Sequence, residues 1–102
     1  MEKRPKTVKI RRKTWTVEWV TIPNEPVGKG KKRELVQVLG LCDDPKEKER
    51  LISINKNQSK KEMLSTYIHE FYHSINPRMS EQRIEELARD LGRFLWRIGV
   101  RP

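Results

Sequence analysis

The chain is poor in the residues that do chemistry. Among its 102 residues are one cysteine, Cys42, and two histidines, His69 and His73. A single cysteine excludes an internal disulfide, and with it the stapled scaffolds of small secreted domains. No apolar run approaches the length needed to span a bilayer. The amino terminus, Met1-Glu2-Lys3-Arg4-Pro5-Lys6, is charged and lacks the apolar stretch of a signal peptide. A soluble, cytoplasmic protein is therefore expected. Acidic residues are also scarce, 14 against 23 lysines and arginines, which leaves a net charge of +9.

What is present argues for a folded domain. Hydrophobic residues make up 34% of the chain, and they are clustered rather than diluted, unlike those of a disordered tail. The length fits one domain over residues 1–102, with 1–6 as a basic tail and 23–33 as an exposed loop. A chain of this size buries roughly 60–65% of its unfolded surface, enough for one core and one shallow cleft.

The first half has the period of strands. Val8 and Ile10 alternate with Lys9 and Arg11, and Trp15, Val17 and Trp19 alternate with Thr14, Thr16 and Glu18. Arg12-Lys13 is either a turn between two strands or a bulge within one. Pro23, Pro26, Gly28 and Gly30 mark the loop. Leu35 to Leu41 reads as the next strand, Asp43-Asp44-Pro45 as a turn, and Leu51 to Ile54 as the strand that closes an antiparallel meander.

The second half switches to a period near 3.6. Ser59-Lys60-Lys61-Glu62 is a capping box, and the helix after it carries Leu64, Tyr67, Ile68, Phe71, Tyr72 and Ile75 as an apolar stripe. Asn76-Pro77 ends it. Ser80 caps a second helix with the stripe Ile84, Leu87, Ala88, Leu91, Leu95 and Ile98, and Gly99 stops it. The short link makes the helices an antiparallel hairpin. The fold class expected is α+β: a small antiparallel sheet of three to four strands, followed by a helix hairpin.

Both histidines fall in one pentapeptide, His69-Glu70-Phe71-Tyr72-His73, on the first helix. Positions i and i+4 share a helix face, so both imidazoles can reach one metal ion, and zinc accepts imidazole readily. Glu70 between them is placed to take a proton from a metal-bound water. Taken singly, histidines on a helix surface are usually solvated side chains; the complete H-E-x-x-H pattern on a capped helix is what points to a metal. No third histidine exists. The remaining ligand candidates are Cys42, on the strand half, and Glu81, Glu85, Glu86 and Asp90 on the second helix. In an antiparallel hairpin the residues just after the turn face His73, which ranks Glu81 first and Glu85 second. A glutamate in a first helical turn is also favourable on charge alone.

The run Tyr67-Ile68-His69-Glu70-Phe71-Tyr72-His73-Ser74-Ile75, the turn, and Met79-Ser80-Glu81-Gln82-Arg83-Ile84-Glu85-Glu86-Leu87-Ala88 resemble small zincins of phages and prokaryotes. The nearest group is the gluzincin-like one, with the minigluzincins and the ImmA/IrrE-type peptidases. Leu39 to Asp43 and Leu51 to Asn55 also resemble the strands ahead of their metal helix. The likeness covers Leu35 to Gly99 and is specific only at the pentapeptide and the Ser80-Glu81 region. It implies a zincin-like domain that hydrolyses peptide bonds with zinc. His69, His73 and Glu81 would then be ligands and Glu70 the general base. The chain lacks the third histidine of SprT-like zincins, and no residue matches the family's oxyanion helper; Tyr67 and Tyr72 lie near the apolar stripe.

The basic charge gives a rival reading. Lys9, Arg11, Arg12 and Lys13, with Lys31, Lys32 and Arg33 in the loop and Trp15 and Trp19 nearby, form the kind of cluster that binds phosphate backbones and stacks bases. A basic nucleic-acid-binding protein with a vestigial zinc site is the alternative to the peptidase. Lysines that only solubilise a surface, over core tryptophans, are the plain reading of the same residues.

Overall fold

The computed structural model describes residues 4–27 and 34–102. The elements are β1 (Lys6–Ile10), β2 (Lys13–Val20), β3 (Glu25–Val27), β4 (Glu34–Val36), β5 (Gly40–Cys42), β6 (Leu51–Asn55), α1 (Lys60–Ile75) and α2 (Glu81–Arg97). The α+β class and the helix hairpin are as expected.

β1 and β2 form a hairpin in which Ile10 pairs with Lys13. Arg11 and Arg12 make the two-residue turn, with φ of 50° and 67°. Positive φ at both central residues matches the right-handed twist of the strands, which resolves the turn-or-bulge alternative in favour of a turn. Arg11 also donates from Nη1 to the carbonyl of Ile75 at 3.3 Å, so the turn ties down the carboxyl end of α1.

The four-stranded sheet runs β1-β2-β6-β5 and is mixed. β2 and β6 pair in parallel, whereas β5 and β6 are antiparallel. An antiparallel meander would have set β5 beside β2. The order found follows from burial: β6 (Leu51-Ile52-Ser53-Ile54-Asn55) is buried along nearly its whole length and takes the centre, while β5, with Leu41 exposed, takes the edge. The span expected as one strand from Leu35 to Leu41 is divided. Its first part pairs as β4 with β3 in a separate two-stranded ladder, and its last part begins β5. β3 also lies within the stretch expected as loop, and β1 begins at Lys6 within the expected tail. Residues 1–3 and 28–33, including Lys31, Lys32 and Arg33, lie outside the described residues.

One face of the sheet is apolar. Trp15, Ile52 and Ile54 are its buried centre, with Ile10, Val17, Trp19, Met63 and Tyr67 packed around them. α1 lies on this face, and α2 packs on α1 rather than on the sheet. Trp15 is 1% exposed and Trp19 donates from its indole to the Tyr67 hydroxyl at 2.9 Å. Trp15 is thus withdrawn from any base-stacking surface, and Trp19 is held against the core.

Candidate metal centre

α1 opens as its sequence dictates. The Ser59 hydroxyl accepts from the Glu62 amide, and Glu62 in turn accepts from the Ser59 amide, which closes the capping box. Beyond it the helix departs from expectation. Leu64 of the expected stripe is buried, but the other buried positions, Thr66, Glu70 and Ser74, form a polar line one residue per turn, whereas Phe71 of the expected stripe is 47% exposed. The polar line faces β5. Gly40 makes that approach possible: a Cβ there would stand 2.9 Å from Thr66 Cγ2 and 3.0 Å from Glu70 Cγ. The chain entering β5 is pinned by two side-chain amides, one buried and one half-buried. Asn55 Nδ2 donates to the Val38 carbonyl at 2.7 Å, and Gln58 Nε2 donates to the Leu39 carbonyl at 3.1 Å. Thr66 Oγ1 donates to Gln58 Oε1 at 2.7 Å, so strand, loop and helix are joined through one side chain.

This packing buries Glu70 to 4% exposure and turns the histidines to its flank. The two imidazole rings lie 4.9 Å apart between centroids. The hairpin then delivers the second helix. Ser80 accepts from the Arg83 amide and caps α2, which places Glu81 in its first turn. Both Glu81 oxygens reach the histidines: Oε1 lies 2.6 Å from His69 Nε2 and Oε2 lies 3.0 Å from His73 Nε2.

The donor set fits a metal ion. Ligand atoms of His69, Glu70 and His73 lie within 4.8 Å of one another, and Glu81, outside that group, reaches both histidines from the facing helix. Two ligands on one tetrahedral ion stand about 3.3 Å apart, given bonds of about 2.0–2.1 Å. The Glu81 oxygens stand 2.6 and 3.0 Å from the ring nitrogens, the distances of direct hydrogen bonds, and its side chain is 66% exposed. Glu70 adds a second sign: its Oε2 is buried without a hydrogen-bond partner among the described residues. Burial, and then the neighbouring Glu81 carboxylate, push the Glu70 carboxyl from 4.5 up to about 7. A cation at the histidines would relieve both.

A cleft of about 360 Å³ adjoins this point, lined by Gly40, Thr66, His69, Glu70, Glu81 and Arg89 among others. Glu85, the second-ranked ligand, lines the cleft one turn beyond Glu81 and contacts neither histidine. Glu86 and Asp90 are exposed and outside the cluster. Cys42 is no ligand in this arrangement. Its thiol lies outside the cluster, donates to the Asp43 carbonyl, and is pushed up to about 12 by burial and by Glu70. Tyr67 packs against the sheet core instead of entering the cleft. Lys9, Arg11, Arg12 and Lys13 are exposed on the β1–β2 hairpin.

Gly40, Asn55 and Gln58 position the site and were invisible as site residues in the sequence. Gly40 had one faint signal, a glycine within a strand, which often marks close approach of another element. Comparison with known protein families, with curated proteins and with solved structures finds no match.

Proposed function

We propose that the protein is a zinc-dependent metallopeptidase of the minimal gluzincin kind, with His69, His73 and Glu81 holding the metal and Glu70 as the general base. The observation that carries this is the convergence of Glu81, from the second helix, on both histidines of the H-E-x-x-H turn. Beside them Glu70 is buried with one oxygen unpartnered.

Zinc held there supplies Lewis acidity toward a water and toward a substrate carbonyl. Glu70 takes the proton as water adds to the scissile carbonyl, then returns it to the leaving amine. Burial and Glu81 raise the Glu70 pKa in the metal-free site, and a cation held at the histidines favours the ionised form that accepts the proton. Thr66, buried, and Gly40, closely approached, wall the Glu70 side chain on the side of β5. Among the described residues β5 pairs with β6 alone, and its other edge, beside the cleft, suits an extended peptide backbone.

The test is metal content and peptide cleavage of the wild type, Glu70→Gln and Glu81→Ala. Expected are one zinc and cleavage in the wild type, zinc without cleavage in Glu70→Gln, and weakened zinc uptake in Glu81→Ala. A wild type that takes up no supplied zinc, or a Glu70→Gln protein that cleaves as fast as wild type, overturns the reading.

A further inference from the structure

α2 carries more apolar surface than α1 covers. At about 100° per residue, Ile84, Ala88 and Gly92 form the strip buried against α1. A Cβ on Gly92 would meet Ser65 Oγ of α1, which shows how closely the helices approach along that strip. Leu87, Leu91, Phe94 and Ile98 form a second strip beside it, 37%, 38%, 60% and 61% exposed. Because α2 packs on α1 and not on the sheet, this second strip is left partly open, most of all at Phe94 and Ile98. Its 4-3-4 spacing is that of a helix-pairing seam.

The charges along the seam select its occupant. Arg83, Glu86 and Asp90 flank the first half, and Arg97 lies on the same flank in the second half, all exposed. We propose that the strip is the interface with a second copy of the chain, the two α2 helices packing antiparallel about a two-fold axis near Phe94. Phe94 then meets its counterpart, and Leu87 and Leu91 meet Ile98 of the second copy. Asp90 faces Arg97 of the second copy, and symmetry repeats the pair, as an isologous interface requires. A parallel pairing sets Asp90 instead beside the opposite flank of the second copy, where Ala88 and Leu95 stand, and forms no such charge pair. Glu85 and Arg89, which line the metal cleft, lie on the opposite side of α2, so the dimer leaves the cleft open. Four apolar side chains per copy make a seam at the small, transient end of interfaces.

Sedimentation of the full chain from about 5 to 500 µM tests this, with helix content by circular dichroism and zinc uptake followed alongside as folding controls. The wild type should shift from monomer to dimer over that range. Phe94→Asp, at an exposed position, should remain monomeric and keep its helix content and zinc uptake. Asp90→Arg and Arg97→Asp should each weaken dimerisation at least about 5-fold, and the double exchange should restore it. A wild type monomeric at 500 µM, a Phe94→Asp protein that still dimerises, or a double exchange that stays as weak as the single variants overturns the proposal.

Discussion

Glu70→Gln in the metal-free protein isolates what burying this carboxyl does to stability. The wild-type carboxyl has a pKa near 4.5 when unfolded and about 7 when folded, because burial and then Glu81 disfavour its charged form. Below about pH 4.5 both states hold the proton and nothing is lost. Between 4.5 and 7 the unfolded chain has released it while the folded chain keeps it, so stability falls as pH rises. Above about 7 both states are ionised and the full penalty applies. The gap corresponds to about 3 kcal/mol, a large part of the 5–15 kcal/mol typical of a domain. Glutamine removes the titration at nearly constant shape. In urea unfolding with chelator present, the stability of Glu70→Gln relative to wild type should rise by about 3 kcal/mol between pH 4.5 and 7.5. Every other ionisable group is common to both proteins, so the difference reports Glu70. With zinc bound, the nearby cation favours the ionised carboxylate and the difference should shrink. A pH-independent difference in the chelated protein would refute the claim that Glu70 is a desolvated, titrating group.

Other perturbations probe the parts around it. Glu81→Ala should raise the zinc dissociation constant at least about 100-fold, beyond what loss of an outer partner does, measured by competition with a chromogenic chelator. Gly40→Ala drives a methyl into Thr66 and Glu70; it should destabilise the fold by about 1–3 kcal/mol and depress cleavage more than zinc binding. Asn55→Ala strands the Val38 carbonyl and the Asn57 amide that Asn55 satisfies, and should cost about 2–3 kcal/mol in thermal or urea unfolding. Arg11→Ala removes one exposed bond to the Ile75 carbonyl, and its loss should be no more than about 1 kcal/mol.

The helix half was legible because its signals are local. Ser59 and Glu62 are three residues apart and cap one helix end, Ser80 and Gly99 bracket the other helix, and His69 and His73 are one turn apart whatever surrounds them. Glu81 was reachable by the same route: a short link forces an antiparallel hairpin, and the first turn after it must face the last turn before it. The stripes were less faithful. Leu87, Leu91, Ile98 and Phe71 have the spacing of core residues, but a two-helix layer on a small sheet has too few neighbours to cover them all. The two glycines show the same limit. Nothing near Gly40 or Gly92 in the chain says that Glu70 or Ser65 will press against it.

By itself the sequence determined the α+β class and the local signals: the strands of the first hairpin by alternation, two capped helices, and a pair of histidines one turn apart with a glutamate between them. Those follow from backbone geometry over a few residues. Only the tertiary structure decided that β6 lies between β2 and β5, that Glu70 is buried against Gly40, and that Glu81 meets both histidines with its two oxygens. Strand order and burial depend on which distant surfaces exclude water from one another, a competition settled across the whole chain.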